Sequence, residues 1–430
     1  LDLKGFVAGR LVFHRPPGLH RKTDVKISAD VTDASLQFKG FPLLIDQLSG
    51  HVFFDAMNNG PQKTARWQFT KLRGRHGDTK IFGQGSFDGL PHPGVLDLTV
   101  KAEQLALDSD LYGALADSQQ DLWRLLEPSG LYDVTAKIDW TAVRGQKAVV
   151  TFPAETPVRI YNARIRPKPF PYAMDVEEAI VSFKTNDPDH SGVDYCNIQS
   201  FKASHKDAPI VGTGWAKHQS DGQWQVHFGH LTAKQLPPDD ELRAALPDEW
   251  REILTRLHRR GRVSINDSEL DFRGTPDHNN LNGDTDITAA WDMDLHLHDC
   301  TLSAGLDLER VNGRVTAVGS WNGEHLRNAG IIRLDSTRVL DMPLTKIRGP
   351  YTIEDAKLVL GAQEVLKSGK STKVDSGSRV TAQAYGGTLF VDAVVDSRPG
   401  RGYLMFMELK DGLLQAFARD RLDETVKLQG

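Results

Sequence analysis

The chain has 430 residues, of which 39% are aliphatic, aromatic or sulfur-bearing and 25% charged. That balance belongs to a folded, water-exposed protein and excludes a disordered one. A net charge of −5 argues against nucleic acid as a partner, and no apolar run approaches the roughly 18–20 residues that cross a bilayer. The chain opens on Leu1 with no signal-like segment, as expected of a piece of a longer protein.

Most of the sequence alternates with a period of two, the signature of strands wet on one face and dry on the other. The first clear case is 25–32, VKISADVT, with Val25, Ile27, Ala29 and Val31 on one face. A second motif follows at 39–54, KGFPLLIDQLSGHVFF, and a third strand at 95–102, where Leu96, Leu98, Val100 and Ala102 share a face. Gly, Asp, Asn and Pro clusters such as 57–61, 90–94 and 186–192 mark turns between them. Residues 110–127 then read as helical. At 168–183, KPFPYAMDVEEAIVSF repeats the motif of 39–54 at an offset of 129, pairing Lys39 with Lys168, Phe41 with Phe170, Pro42 with Pro171 and Phe54 with Phe183.

Further on, Trp224, Val226 and Phe228 alternate with Gln225 and His227. A second helical segment is expected over 240–259, read as two short helices with Pro247 near the first turn of the latter, Gly261 as its stop and the basic run RLHRRGR (256–262) at the favourable negative end of its dipole. Trp291, Met293, Leu295 and Leu297 then face away from Asp292, Asp294, His296 and His298. A diverged copy of the motif stands at 334–353, where Met342, Pro343 and Leu344 take the places of Phe41, Pro42 and Leu43, and Gly349 that of Gly50. A last helix is expected near 411–419, and ETVKLQG at the end reads as the start of a fourth copy. The organisation is therefore unit 1 over 1–130, unit 2 over 131–260, and a longer, diverged unit 3 over 261–430. Repetition at this length suggests strands added end to end onto one sheet.

These motifs carry a resemblance. Ala34, Leu36, Phe41, Pro42, Leu43 and Gly50, followed late in the chain by Tyr385, Gly386, Gly387 and a short helix with Leu413 and Leu414, are similar to the repeats of the large bacterial AsmA-like proteins. The resemblance implies an inner-membrane anchor, a periplasmic body and a long sheet folded into an open trough, akin to bridge-like lipid carriers. The chain departs from that pattern in having no N-terminal membrane helix. The expected fold class is mainly β: an elongated repeat protein whose antiparallel sheet curls into an open groove with a few short helices.

A sheet with one dry face must hide it against another sheet, helices or a ligand, and two helices of about twenty residues cannot cover strands spread over the whole chain. Acyl chains would suit such a face, because each buried methylene gains roughly 0.8 kcal/mol without a specific polar contact. The expectation is a non-enzymatic conduit for phospholipid or another acyl lipid, working with envelope-assembly proteins in the periplasm. Its groove would be lined by Trp224, Val226, Phe228, Trp291, Met293, Leu295 and Leu297. A β-rich carbohydrate-binding or structural cell-surface module, the former drawing on Trp215, Trp224, Trp291 and Trp321, and a β-rich glycoside hydrolase are the alternatives.

Catalytic, cofactor and metal motifs are not expected. GQGS (83–86) and GTGW (212–215) do not continue as phosphate-binding loops, and Cys196 and Cys300 have no CxxC partner. In HLHDC, strict alternation puts His296, His298 and Cys300 on one face with Asp292 and Asp294. Side chains two apart on a strand are nearly 7 Å apart along it, long for sharing one zinc, so a solvated face is the simpler reading.

Overall fold

The computed structural model describes residues 2–421 apart from 39–40, 60–62, 116–119, 121–122, 125, 144–148, 154, 169, 188–192, 220, 247–250, 252–254, 256–257, 277–284, 304–306, 340, 362–378, 397 and 399–401. Among the described residues it is mainly β: one long antiparallel sheet of 22 strands, with a few short helices. Most strands pair with their neighbours in sequence. By compactness the chain divides into two bodies, Leu1–Lys168 with Asp175–Phe201 and Lys217–Ser220, and Pro169–Met174 with Lys202–Ala216 and Asp221–Gly430.

In chain order the elements before the second motif are β1 (Asp2–His14), β2 (Asp24–Phe38), β3 (Phe41–Met57), β4 (Thr64–His76), β5 (Thr79–Leu90), β6 (Val95–Ala106), α1 (Ser109–Ala114), β7 (Ser129–Thr141), β8 (Val149–Thr151) and β9 (Val158–Ile165). Then come β10 (Met174–Asp187), β11 (Val193–His205), β12 (Ala208–His218), β13 (Trp224–Leu236), α2 (Asp240–Ala245), β14 (His258–Pro276), β15 (Thr285–Ser303) and β16 (Asp307–Trp321). The last are β17 (Leu326–Val339), β18 (Met342–Glu354), β19 (Lys357–Leu360), β20 (Val380–Ala384), β21 (Gly387–Asp396), β22 (Tyr403–Lys410) and α3 (Leu414–Arg421). In the first body β1 to β7 form a meander, after which β7 pairs with both β8 and β9. In the second, β13 to β18 do the same, and β18 then pairs with both β19 and β20.

Helices α1 and α2 are six residues each, and described positions beyond them, among them Gln120, Trp123 and Arg251, are again helical. Asp108 caps α1 by accepting from the amides of Asp110 and Leu111 at 3.1 and 3.0 Å, and Asp239 caps α2 by accepting from Leu242 N at 2.8 Å. The helix expected over 240–259 does not reach its end: His258 already begins β14, and Arg260 pairs with Thr301. Gly261 stops no helix. Its φ of 104° serves a bulge in β14, where a Cβ would lie 2.4 Å from Cys300 Cα. The basic run therefore enters a strand, and the dipole argument for it falls away. Much of 116–125, within the helix expected over 110–127, and the segment ETVKLQG lie outside the described residues.

Strand alternation is interrupted at regular places by β-bulges, where one extra residue bends the strand and reverses which parity faces inward. In the first body positive-φ residues at these bulges include Asp33, Gln47, Lys71 and Gln104. In the second they include His230, Asp267, Asp299, Arg310 and Lys346. The next residue commonly turns into the core: Ala34, Leu48, Leu105, Ser268, Cys300, Val311 and Ile347 are all buried. The bulge amides find side-chain acceptors, as where Gln104 N donates to Asp133 Oδ1 at 2.8 Å and Asp299 N to Asn312 Oδ1 at 3.0 Å.

The motif copies share a place in the packing. Leu43, Tyr172 and Leu344 are each buried, with exposures of 6%, 3% and 6%. The Phe41 side chain lies outside the described residues; Phe170 is half-buried, its ring 5.6 Å from that of Tyr172. In the first body Leu43 packs with Ile81, Ala102 and Leu105 under Leu111 and Ala114 of α1. In the second, Cys300 and Val311 sit at the centre of a cluster that includes Leu334, Leu344, Val380 and Leu389.

Candidate functional site

The apolar face of β13 to β18 is built by ladder register. Phe228 stands opposite Leu270, and Leu270 opposite Trp291, so these three form one row across β13, β14 and β15. Val226 continues through Phe272 to Ala289, and Trp224 through Gly274 to Ile287. Towards the other end of β15, Leu295 lies between Ile265 and Val315, and Leu297 between Val263 and Gly313. The β13 and β15 residues thus share a row only where Phe228 and Trp291 are linked through Leu270. Trp224 and Val226 extend the face in one direction, Leu295 and Leu297 in the other.

Two glycines give the aromatics room. A Cβ on Gly274 would fall 2.1 Å from Trp224 Cε2, and one on Gly319 would fall 2.5 Å from Trp291 Cζ2. Each indole therefore lies across the bare backbone of the neighbouring strand. The Trp291 N–H donates to Asn328 Oδ1 at 2.9 Å, Asn328 Nδ2 to the Tyr351 hydroxyl at 2.9 Å, and that hydroxyl to Thr316 O at 3.1 Å. This chain satisfies the polar atoms inside an apolar surface, where each unmet one would cost about 1–3 kcal/mol. Burial raises the Tyr351 phenol pKa, against the lowering effect of its Asn328 hydrogen bond. Trp291 and Leu297 are buried, whereas Trp224, Val226, Phe228, Met293 and Leu295 are half-buried.

The opposite face corrects the reading of HLHDC. His296 is exposed, and His298 lies beside it with ring centroids 4.6 Å apart. Burial, then the neighbouring His296, lower the His298 pKa. Cys300 is not with them: the bulge at Asp299 carries it to the dry face, fully buried against Val311. Its thiol donates to Arg262 O at 3.4 Å, and burial pushes its pKa up. Among the described residues no three His, Cys, Asp or Glu side chains gather into a group able to hold a metal.

Sequence reasoning missed a polar latch at the start of each of the first two helices. His76 Nδ1–H donates to Leu44 O at 2.8 Å, and His205 Nδ1–H donates to Ala173 O at 2.8 Å, the two pairs separated by the offset of the repeat. In the second body His205 Nε2 lies 2.9 Å from Asp239 Oδ2, the cap of α2, and Lys206 Nζ reaches the same oxygen at 2.6 Å. Both partners of the His205 ring are acceptors, so it serves both only when it carries both protons. Burial alone would raise the Asp239 carboxyl. Hydrogen bonds from Lys206, the Leu242 amide and His205 outweigh it and hold the pKa at about 2. Tyr172 stacks on His205 at 4.0 Å. The shared His before each β-hairpin turn, in RHGD and SHKD, was the available signal. In the second body it joins turn to helix cap; in the first, His76 and Leu44 line an open hollow with Asp110 and Gly113 of α1.

Among the described residues no helix is long and apolar enough to cross a membrane. No protein-family model matches the chain, and no curated protein or solved structure is similar to it. What the geometry defines is a class: a single-sheet β protein whose dry face is paved with aromatics and aliphatics.

Proposed function

We propose that the dry face of this sheet carries acyl chains, and that the protein is a non-enzymatic lipid-handling segment of an inner-membrane-anchored periplasmic protein of the AsmA-like type. The partial burial of Val226, Phe228, Met293 and Leu295 carries the reading. Apolar side chains held in register, with the Trp291 indole N–H satisfied by Asn328, favour a ligand that is itself apolar and featureless. Each methylene laid on such a face gains roughly 0.8 kcal/mol, so a chain of ordinary length binds without a charged clamp. In the cell its partners are then phospholipid and the proteins of envelope assembly. The glycan reading is weakened by Trp291, whose indole is buried over Gly319 and offers little surface for a sugar to stack on.

The test places a photo-crosslinking residue at Leu295 and, separately, at His296 on the opposite face. Irradiation follows mild extraction, away from the bilayer, and mass spectrometry is expected to find retained phospholipid as adducts at position 295 and none at 296. Adducts at neither position, in folded protein, would overturn the lipid reading.

A further inference from the structure

On the polar face of the second body, ladder register sets His296 opposite Arg314, Arg314 opposite Arg333 and Arg333 opposite Arg348, one row across β15 to β18. All four residues are exposed. Neighbouring strands are about 4.8 Å apart, and like charges directly opposite one another destabilise a sheet. Asp294 neutralises Arg314, accepting from its Nε and Nη2. Arg333 and Arg348 have no ion pair among the described residues, nor does Lys346 on the bulge beside them. The nearest exposed acid along β17, Asp335, makes no bond to Arg333 among those residues. Two facing guanidiniums thus remain uncompensated in a chain of net charge −5.

Apolar side chains flank the pair on this same face: Val318 is 54% exposed and Ile331, two residues before Arg333, is 39% exposed. A soluble phosphate would answer the charges and leave these two in water. A lipid interface supplies both chemistries, since a guanidinium fork matches phosphate oxygens and the acyl boundary accepts aliphatic groups. We propose that the polar face of β15 to β18 docks on a membrane surface rich in anionic phospholipid, with headgroup phosphates bridging Arg333 and Arg348 and with Val318 and Ile331 entering the interface. This contact is independent of what the dry face carries, because it uses the other side of the sheet.

The test is flotation of the full chain with vesicles of phosphatidylcholine alone and with vesicles in which half the lipid is phosphatidylglycerol. Binding is expected only to the second, weakening as salt rises. Arg333→Gln with Arg348→Gln is expected to lower the partition roughly 30-fold. Arg273→Gln with Arg398→Gln, an equal charge change at arginines paired to Asp271 and Asp396, is expected to leave it within about twofold. Arg333→Glu alone places an acid opposite Arg314 and Arg348, supports the ladder and is expected to abolish binding. Unchanged flotation of the Gln pair, equal binding to pure phosphatidylcholine, or saturable binding of inorganic pyrophosphate without vesicle binding would overturn the proposal. Acyl adducts at Leu295 would be unaffected by any of these results, so the two readings fail separately.

Discussion

Substituting Gly313 by alanine tests whether the bulges are held by close backbone approach. Gly313 has a φ of 137°, and an added Cβ would lie 2.5 Å from both Arg333 O and Leu334 Cα, backbone atoms that no rotamer change can move. Gly323, in the turn between β16 and β17, has a φ of 99°, but its nearest neighbour would be Ile287 O at 3.9 Å. Both alanine variants pay for a backbone conformation that L-residues seldom adopt, about 1–3 kcal/mol. Only Gly313→Ala must also push β16 and β17 apart, an overpacking cost of about 1–3 kcal/mol more. Urea denaturation of the two variants, read as midpoint shifts at constant slope, is expected to show Gly313→Ala less stable than Gly323→Ala by at least about 1 kcal/mol. Equal losses would mean that the close approach across the bulge does not exist in solution.

Asn328→Ala removes the acceptor of the Trp291 indole and a donor to Tyr351; a loss of about 1–3 kcal/mol is expected in the same denaturation assay, and a change below a few tenths would discount the network. Leu295→Asp is expected to cost under about 2 kcal/mol, because water reaches a half-buried face, whereas an unpaired carboxylate in a sealed core would cost several; calorimetry decides between them. Asp239 has a folded pKa of about 2, below its ordinary value of 3.8, so its contribution to stability is present above pH 3.8 and is lost as pH falls through 2. That amounts to about 2 kcal/mol. Asp239→Asn is therefore expected to flatten the acid limb of the stability profile between those two values, and an unaltered limb would contradict the latch.

Strand identity was legible because alternation is a local property: Trp291, Met293, Leu295 and Leu297 do share a face of β15. The buried place common to Leu43, Tyr172 and Leu344 likewise followed from motif spacing. Cys300 was misplaced because period-two reasoning assumes an unbroken strand, and Asp299 at φ 48° inserts one residue out of step. A polar residue directly before a small or aliphatic one, at the point where alternation slips, would have been the clue, as in Asp33–Ala34, Asp299–Cys300 and Arg310–Val311. The end of the second helix was misjudged for a related reason: glycine at positive φ suits a helix stop and a bulge equally, and only the pairing of Arg260 with Thr301 separates them. The arginine row was beyond reach. Arg314, Arg333 and Arg348 are spaced by 19 and 15 residues in sequence, and only hairpin register brings them side by side.

The bulges also set a rule for how the length of this chain can change. Since each adds a single out-of-step residue, deleting Asp299 alone would restore strict alternation and leave Cys300 facing Val311, whereas deleting one residue from the unbroken stretch before it, such as Met293, would exchange the faces on one side of the cut. Removing two residues from the same strand would shorten it without exchanging its faces. Lineages that vary the reach of such a sheet are then expected to gain or lose residues in pairs within strands and freely in turns, with odd changes surviving where a bulge is gained or lost or where a second odd change on the same strand cancels the first.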